Sequence, residues 1–173
     1  MKRDINHPVW DVYDLYRTAR LNIKYLACKL SNLKSLNFWM EFILAVTASS
    51  AVVTFAIWKT PAGSLLWQTL SFASAILAVA KPLLNLTEKI RKMEEVLTAF
   101  RILEYDLKLL EISIRQRKAY DKEISDKFIS AFERMKGLIE KYSENKENVK
   151  LKRKCQAEVL RELPASNFFV PNI

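Results

Sequence analysis

Apolar and charged positions are distributed very unevenly along this chain of 173 residues. Between Phe42 and Ala80 the only ionisable side chain is Lys59, whereas charged residues recur every few positions on either side of that stretch. A soluble domain spreads its apolar residues over many amphipathic elements, and such a concentrated apolar stretch is typical of a membrane segment joined to a solvated one.

Two runs within residues 37–86, at about 38–58 and 64–86, are long enough to cross a bilayer, which takes roughly 20 residues in a helix. A Pro/Gly-containing turn around Pro61 separates them, so the pattern predicts an antiparallel transmembrane hairpin. A signal peptide would start nearer the N-terminus. A buried soluble hairpin would need a larger protein around it than this chain supplies.

Basic residues predict the orientation of the hairpin, because cytoplasmic flanks carry an excess of Lys and Arg. The turn offers Lys59 alone, whereas both flanks are basic: Lys2, Arg3, Arg17, Arg20, Lys24, Lys29 and Lys34 before the first span, and Lys89, Arg91 and Lys92 after the second. Both termini are therefore expected in the cytoplasm of a multi-pass inner-membrane protein. Tryptophans stand where interfacial anchors gather, at Trp39, Trp58 and Trp67.

Two charges, Glu41 and Lys81, interrupt the apolar pattern near the inner side. Pro61 lies midway between them, so an antiparallel hairpin places both at about 30 Å from the turn, at 1.5 Å per residue. An ion pair within the hairpin or between subunits is one interpretation. The other is that each side chain reaches the headgroups by itself.

Small and hydroxylated residues recur in both predicted spans. Spacings of four, as between Ser71 and Ala75, let helices approach closely. The candidates for packing, or for lining a pore, are Ala45, Ser49, Ser50, Thr54, Ser71, Ser74, Ala75 and Ala78. The sequence does not separate packing from pore lining.

The flanking segments carry apolar residues at alternating steps of four and three, which predict helical seams. The N-terminal amphipathic helix, within 1–36, has Val12, Tyr16, Ala19, Ile23, Leu26, Leu30 and Leu33. Although basic faces could lie on a membrane surface, the strict seam favours packing on another helix. A helix continuing directly from the membrane, at about 87–118, has Val96, Phe100, Leu103, Leu107, Leu110 and Ile114.

Residues 87–163 are expected to form a cytoplasmic helical bundle or coiled coil. After a break with Asp121 as N-cap, a helix runs to about Tyr142 and carries on one face Ile124, Phe128, Phe132, Met135, Ile139 and Tyr142. A last helix runs from about Val149 and ends before Pro164. The apolar tail, 164–173, either docks on a bundle or partner or frays.

Composition supports an all-α membrane protein and narrows its chemistry. The chain has two glycines, too few for many tight β-turns. Its net charge of +9 comes without a dense arginine stripe, which argues against nucleic acid as a partner. One histidine and two distant cysteines, Cys28 and Cys155, predict free thiols and no metal cluster. Phosphate-binding, nucleophile-elbow and zinc motifs are lacking, so neither enzymatic activity nor a cofactor is expected.

The order of segments resembles the SLATT family, the two-transmembrane effectors associated with bacterial SMODS and SLOG systems. The similarity covers about Trp10 to Leu163 and includes the aromatic-rich start WDVYDLYR at 10–17. It implies an anti-phage effector that a partner sensor in the cytoplasm triggers, and that then oligomerises and opens or disrupts the inner membrane. The FFVPNI ending, Phe168 to Ile173, does not match the family pattern.

Physical reasoning agrees with this implied role on one point: a two-helix hairpin cannot enclose an aqueous channel alone, so a pore requires a homo-oligomer in the bilayer. Two other functions remain open from the sequence. One is a non-conducting, membrane-anchored helical scaffold that recruits a cytoplasmic partner. The other is a holin-like phage lysis protein.

Overall fold

The computed structural model describes residues 7–48, 60–142 and 147–171, and within them the chain is helical, without β-strands. The all-α prediction is therefore confirmed. The helices are α1 (Val9–Ala48), α2 (Pro61–Leu84), α3 (Leu86–Arg117), α4 (Lys122–Lys141) and α5 (Val149–Glu162), followed by a 3-10 turn (Ala165–Asn167).

Polar side chains cap three of the helix starts. The hydroxyl of Thr60 accepts a hydrogen bond from the amide of Gly63 at 3.1 Å, with Pro61 in the first turn of α2. The predicted N-cap Asp121 is confirmed, since its carboxylate accepts from the Ile124 amide at 2.9 Å. Asn148 caps α5 in the same way. Each cap satisfies an amide that has no partner within its helix.

The sequence predicted that the helix at about 87–118 continues directly from the second apolar run. This is wrong, because one residue interrupts the helix between the two segments. Asn85 adopts a left-handed conformation, with φ 47° and ψ 43°, and separates α2 from α3. Pro82 lies two residues before the end of α2 and removes one helical donor, which weakens the ladder where the helix stops. Asparagine tolerates the left-handed region better than most residues and suits this junction.

The chain divides into two compact units. The bundle unit comprises Met1–Cys28 and Glu94–Ile173, and the apolar unit comprises Lys29–Met93. The division falls inside α1 and inside α3, so both long helices contribute residues to both units.

The two predicted seams form much of the buried interior. From Val12 to Leu30 every predicted seam residue of α1 is buried, and so is every one of α3, whereas Leu33 is half-buried. In the bundle unit, α4 adds Ile124, Ala131 and Met135, and α5 adds Cys155 and Val159. The side chains are covered within a single chain.

The predicted apolar face of α4 is buried only in part. Phe132 and Ile139 remain 53% and 49% exposed, and Ala131 is buried although the prediction omitted it. The apolar face of α4 is wider than the strip that its neighbours cover. The larger side chains therefore lie at the edge of the contact, and the small Ala131 lies inside it.

Charges of α1 bind acidic residues of α3 and α5 within the bundle unit. Arg20 lies 2.9 Å from Glu104 and 3.3 Å from Glu162, and Lys24 lies 2.7 Å from Glu162 and 3.2 Å from Glu158. The hydrogen bond from Lys24 and its positive charge lower the pKa of Glu162. These side chains join helices of the bundle.

The apolar tail docks on the bundle unit, which decides between the docking and fraying that the sequence left open. The Phe168 ring is buried and stacks on Tyr13, with centroids 4.1 Å apart, and the Arg17 guanidinium lies 5.1 Å from its centroid. The Tyr13 hydroxyl donates to the Phe169 carbonyl, and Arg17 donates to the Leu163 carbonyl at 2.8 Å. Burial raises the pKa of Tyr13 to about 12, so the phenol stays protonated and able to donate.

Truncating Phe168 to Ala should lower the free energy of unfolding by about 3 kcal/mol, because a buried aromatic ring leaves a cavity against Tyr13. Urea unfolding of the detergent-solubilised chain, followed by circular dichroism, measures the change. Asn167→Ala is the control, since Asn167 is exposed on the adjacent turn and should shift stability by at most about 0.5 kcal/mol. Equal stability of the two variants would mean that the tail is not docked in solution.

Candidate functional site

Helix α2 is the one helix, within the described ranges, that is long and apolar enough to cross a membrane. None of the residues in its most apolar stretch is buried by the rest of the chain. Phe72, Val79 and Leu83 are 70%, 66% and 81% exposed. Full burial of such a side chain is worth about 1.5–3 kcal/mol, so their exposure to water together costs several kcal/mol.

The first predicted span, 38–58, is described only up to Ala48, where it forms the last part of α1. Ser49, Ser50, Thr54 and Trp58 lie outside the described residues. Within the described part, Phe38, Trp39 and Phe42 are about half exposed and contact one another. The centroid of the Trp39 ring lies 5.7 Å from that of Phe38 and 5.8 Å from that of Phe42. This aromatic cluster surrounds the predicted anchor Trp39.

Two polar contacts join α1 to α2 inside the apolar unit. Thr47 Oγ1 lies 2.7 Å from Ser74 Oγ, and Lys81 Nζ lies 3.1 Å from Glu41 Oε1. Moving from one contact to the other takes six residues back along α1 and seven residues forward along α2. This opposite order is that of two antiparallel helices in register, with residue 61 near the pivot.

The structure brings Glu41 and Lys81 together, as the ion-pair interpretation expects. The Glu41 carboxylate also accepts from the Asn37 amide at 3.1 Å, so one oxygen has two donors from two helices. Both side chains keep access to the surface, at 53% for Glu41 and 33% for Lys81. Their depth in a bilayer is still a prediction.

The small-residue candidates of α2 separate into two groups. Ser74 is half-buried and contacts α1, whereas Ser71, Ala75 and Ala78 are exposed, as is Ala45 of α1. Along α2, half-buried residues recur every three or four positions from Trp67 to Lys81 and include Ser74. The contact with α1 uses that face, and the exposed small residues lie on another part of the surface.

No group of three His, Cys, Asp or Glu side chains in the described part of the chain is placed to hold a metal ion. Cys28 is exposed and Cys155 is buried, no disulfide joins them, and their side chains are hydrogen-bonded to each other. Burial raises the pKa of the Cys155 thiol, which makes it a poor nucleophile at neutral pH.

Exchanging the charges tests the contact between α1 and α2. Glu41→Lys and Lys81→Glu should each lower the melting temperature of the detergent-solubilised chain, because each places like charges together. The double variant should recover most of the loss. Lys89→Glu, at an exposed position of α3, serves as the charge-changing control. A double variant as unstable as the worse single variant would show that the pair does not form.

Comparison of the chain with family models, with curated proteins and with solved structures finds no match. The likeness to the SLATT plan thus consists of segment order and the aromatic-rich start.

Proposed function

We propose that this chain is a SLATT-type effector of a bacterial anti-phage system. In this proposal its two-helix hairpin anchors it in the inner membrane, copies associate, and a cytoplasmic sensor triggers their opening or disruption of the bilayer. The observation that carries the proposal is α2, a helix of 24 residues whose most apolar stretch contains no buried residue.

A lipid environment accounts for α2 better than water does. Seven large apolar side chains of α2 are exposed: Leu65, Leu66, Phe72, Ile76, Val79, Leu83 and Leu84. At about 1.5 kcal/mol or more for each, their transfer out of water is worth roughly 10 kcal/mol, comparable to the whole stability of a domain. A helix also satisfies its backbone hydrogen bonds internally, which the bilayer core requires.

In this proposal the first apolar run is the other transmembrane helix of the hairpin and packs against α2. The contacts at Thr47 and Glu41 support this, because they pair α1 with α2 in antiparallel order. The aromatic cluster around Trp39 and the paired charges at Glu41 and Lys81 suit one membrane boundary, where tryptophan and charged groups are tolerated. The basic flanks then favour cytoplasmic termini.

A pore would require assembly of several copies, because two helices cannot surround a channel. The exposed Ser71, Ala75 and Ala78 offer a small-residue face on α2 that the contact with α1 does not use. Small residues allow close helix approach in lipid, and a hydroxyl can bond across helices. We therefore assign this face to contacts between copies in the membrane.

The native thiols allow a test of the orientation. In intact spheroplasts a membrane-impermeant maleimide should leave Cys28 unlabelled, and permeabilisation should expose it. Ala62→Cys in a Cys28→Ser background, at the exposed start of α2, should label in both preparations. Labelling of Cys28 in intact cells, or protection of residue 62, would contradict the proposed orientation.

Membrane permeabilisation is tested with liposomes that contain a self-quenching dye. Leakage should rise more steeply than linearly with the protein-to-lipid ratio, since high density favours association without the trigger. Ala75→Trp should reduce leakage by blocking close approach, and Leu66→Trp is the matched control on an exposed large residue. Equal leakage from both variants would reject the assigned face.

Expression of the unchanged protein in cells that carry a potential-sensitive dye distinguishes the effector from the two other functions. Depolarisation that requires a trigger supports the effector. Absence of depolarisation at every expression level, with no leakage from liposomes, favours the non-conducting scaffold. Spontaneous lysis at a set time after induction favours the holin-like protein.

A further inference from the structure

The outer face of α3 carries an apolar stripe that the bundle unit does not cover. Ile102, Tyr105, Leu109 and Ile112 follow steps of three and four, and they are 51%, 67%, 62% and 38% exposed. The opposite face of the same helix supplies the buried seam. A solvated helix needs only one apolar face, so the second face indicates a contact with another surface.

One edge of this stripe is basic. Arg101, Lys108 and Arg115 recur at seven-residue steps, which places them on one line of the helix beside Tyr105 and Ile112. Arg115 is paired with Glu111 of its own helix at 2.6 Å. The other edge differs, because Asp106 there is engaged by Arg134 of α4 at 2.6 Å.

A groove with the opposite charge lies between α1 and α4 in the same unit. Its volume is about 790 Å³, and its lining includes the exposed edge residues Ile129, Phe132 and Ile139. Asp11 and Asp14 of α1 are exposed along it. Lys136 and Glu140 also lie at the groove and face each other at 3.8 Å, so their charges offset. Asp14 lies 3.6 Å from Arg17 of its own helix but keeps 72% of its side chain exposed, so the rim stays acidic through Asp11 and Asp14.

We propose that this groove receives the α3 stripe of a second copy of the chain. The groove follows α4 from Phe128 to Ile139, about 16 Å, and the stripe from Ile102 to Ile112 measures about 15 Å, at 1.5 Å per residue. Apolar surface meets apolar surface over matching lengths. The rim of Asp11 and Asp14 meets the basic edge, which favours this pairing over others.

The charges also decide between a symmetric and a head-to-tail contact. Groove against groove would bring aspartates together, and stripe against stripe would bring Arg101 and Lys108 together with their copies. Where two copies make one groove-to-stripe contact, a free groove and a free stripe remain on the pair, so association continues into a ring if the rotation closes and into an open filament if it does not. Ring closure parallel to the bilayer rests on the proposed function, whereas the contact itself does not.

Charge reversal on each surface tests the contact with the full chain in detergent micelles, at several protein concentrations. Asp11→Lys with Asp14→Lys changes the groove, and Arg101→Glu with Lys108→Glu changes the stripe. Light scattering should show an oligomer for the unchanged protein and the monomer of 20.1 kDa for each variant alone. Lys150→Glu with Arg153→Glu, exposed on α5, is the control and should remain oligomeric.

Mixing separates a lost contact from a damaged fold. In a one-to-one mixture, the basic groove of the first variant fits the acidic stripe of the second, and the two unchanged surfaces fit as before. The mixture should therefore regain the oligomer mass, and so should the chain carrying all four changes. Circular dichroism should show unchanged helicity for each variant, whereas the melting temperature of the groove variant should fall slightly, because Asp11 lies in the first turn of α1 and Asp14 pairs with Arg17.

Three results would overturn the contact: a monomeric unchanged protein at all concentrations, an unchanged mass for either variant, or a mixture that stays monomeric. An unchanged mass for the groove variant would leave the groove to another partner, such as the cytoplasmic sensor. Oligomers that obey the charge rules but cause no leakage would reject the pore and keep the contact. Equal leakage from the unchanged protein and from both variants would reject the contact and keep the pore.

Discussion

The uncovered apolar surface of α2 is the constraint on which the other features depend. A chain of 173 residues that leaves seven large apolar side chains of one helix exposed has to place them against lipid or other protein. The contacts of Thr47 with Ser74 and of Glu41 with Lys81 fit that condition, because each of these polar groups has a partner, whereas the buried Oδ1 of Asn37 accepts no hydrogen bond. In a low-dielectric surrounding, an unsatisfied hydroxyl or an isolated charge would cost far more than it does in water.

Helix α1 shows how one continuous element serves two surroundings. Its first part buries a seam and directs Arg20 and Lys24 to acidic partners, and its last part exposes Phe38, Trp39 and Phe42. The change in surroundings occurs without a break in the helix, which runs from Val9 to Ala48. The junction after α2 is different, since Asn85 interrupts the helix there.

The sequence was sufficient for features that depend on local chemistry or on strict periodicity. The Asp121 cap, the α5 boundaries and both seams followed from residue type and spacing alone. It failed where the outcome depends on which neighbour approaches. Ala131 is buried and Phe132 is not, because α4 meets a narrower surface than its apolar face could cover. The bonds from Arg20 to Glu104 and Glu162 join positions far apart in sequence, which no spacing rule predicts.

The candidate membrane contacts were predictable only in part, and the reason is energetic. The argument from Pro61 needs only the helical rise and suggests the contact that Lys81 Nζ makes with Glu41 Oε1 at 3.1 Å, whereas the depth of the pair in a bilayer stays a prediction. To predict which of Ser71, Ser74, Ala75 and Ala78 faces α1, one must know how α2 is rotated about its axis. Small residues occur on several sides of α2, so the sequence does not determine that rotation. A single hydroxyl contact contributes about 1 kcal/mol, too little to hold two helices together without their packing and the pair at Lys81. The exposed small residues are therefore available for contacts that this one chain does not make.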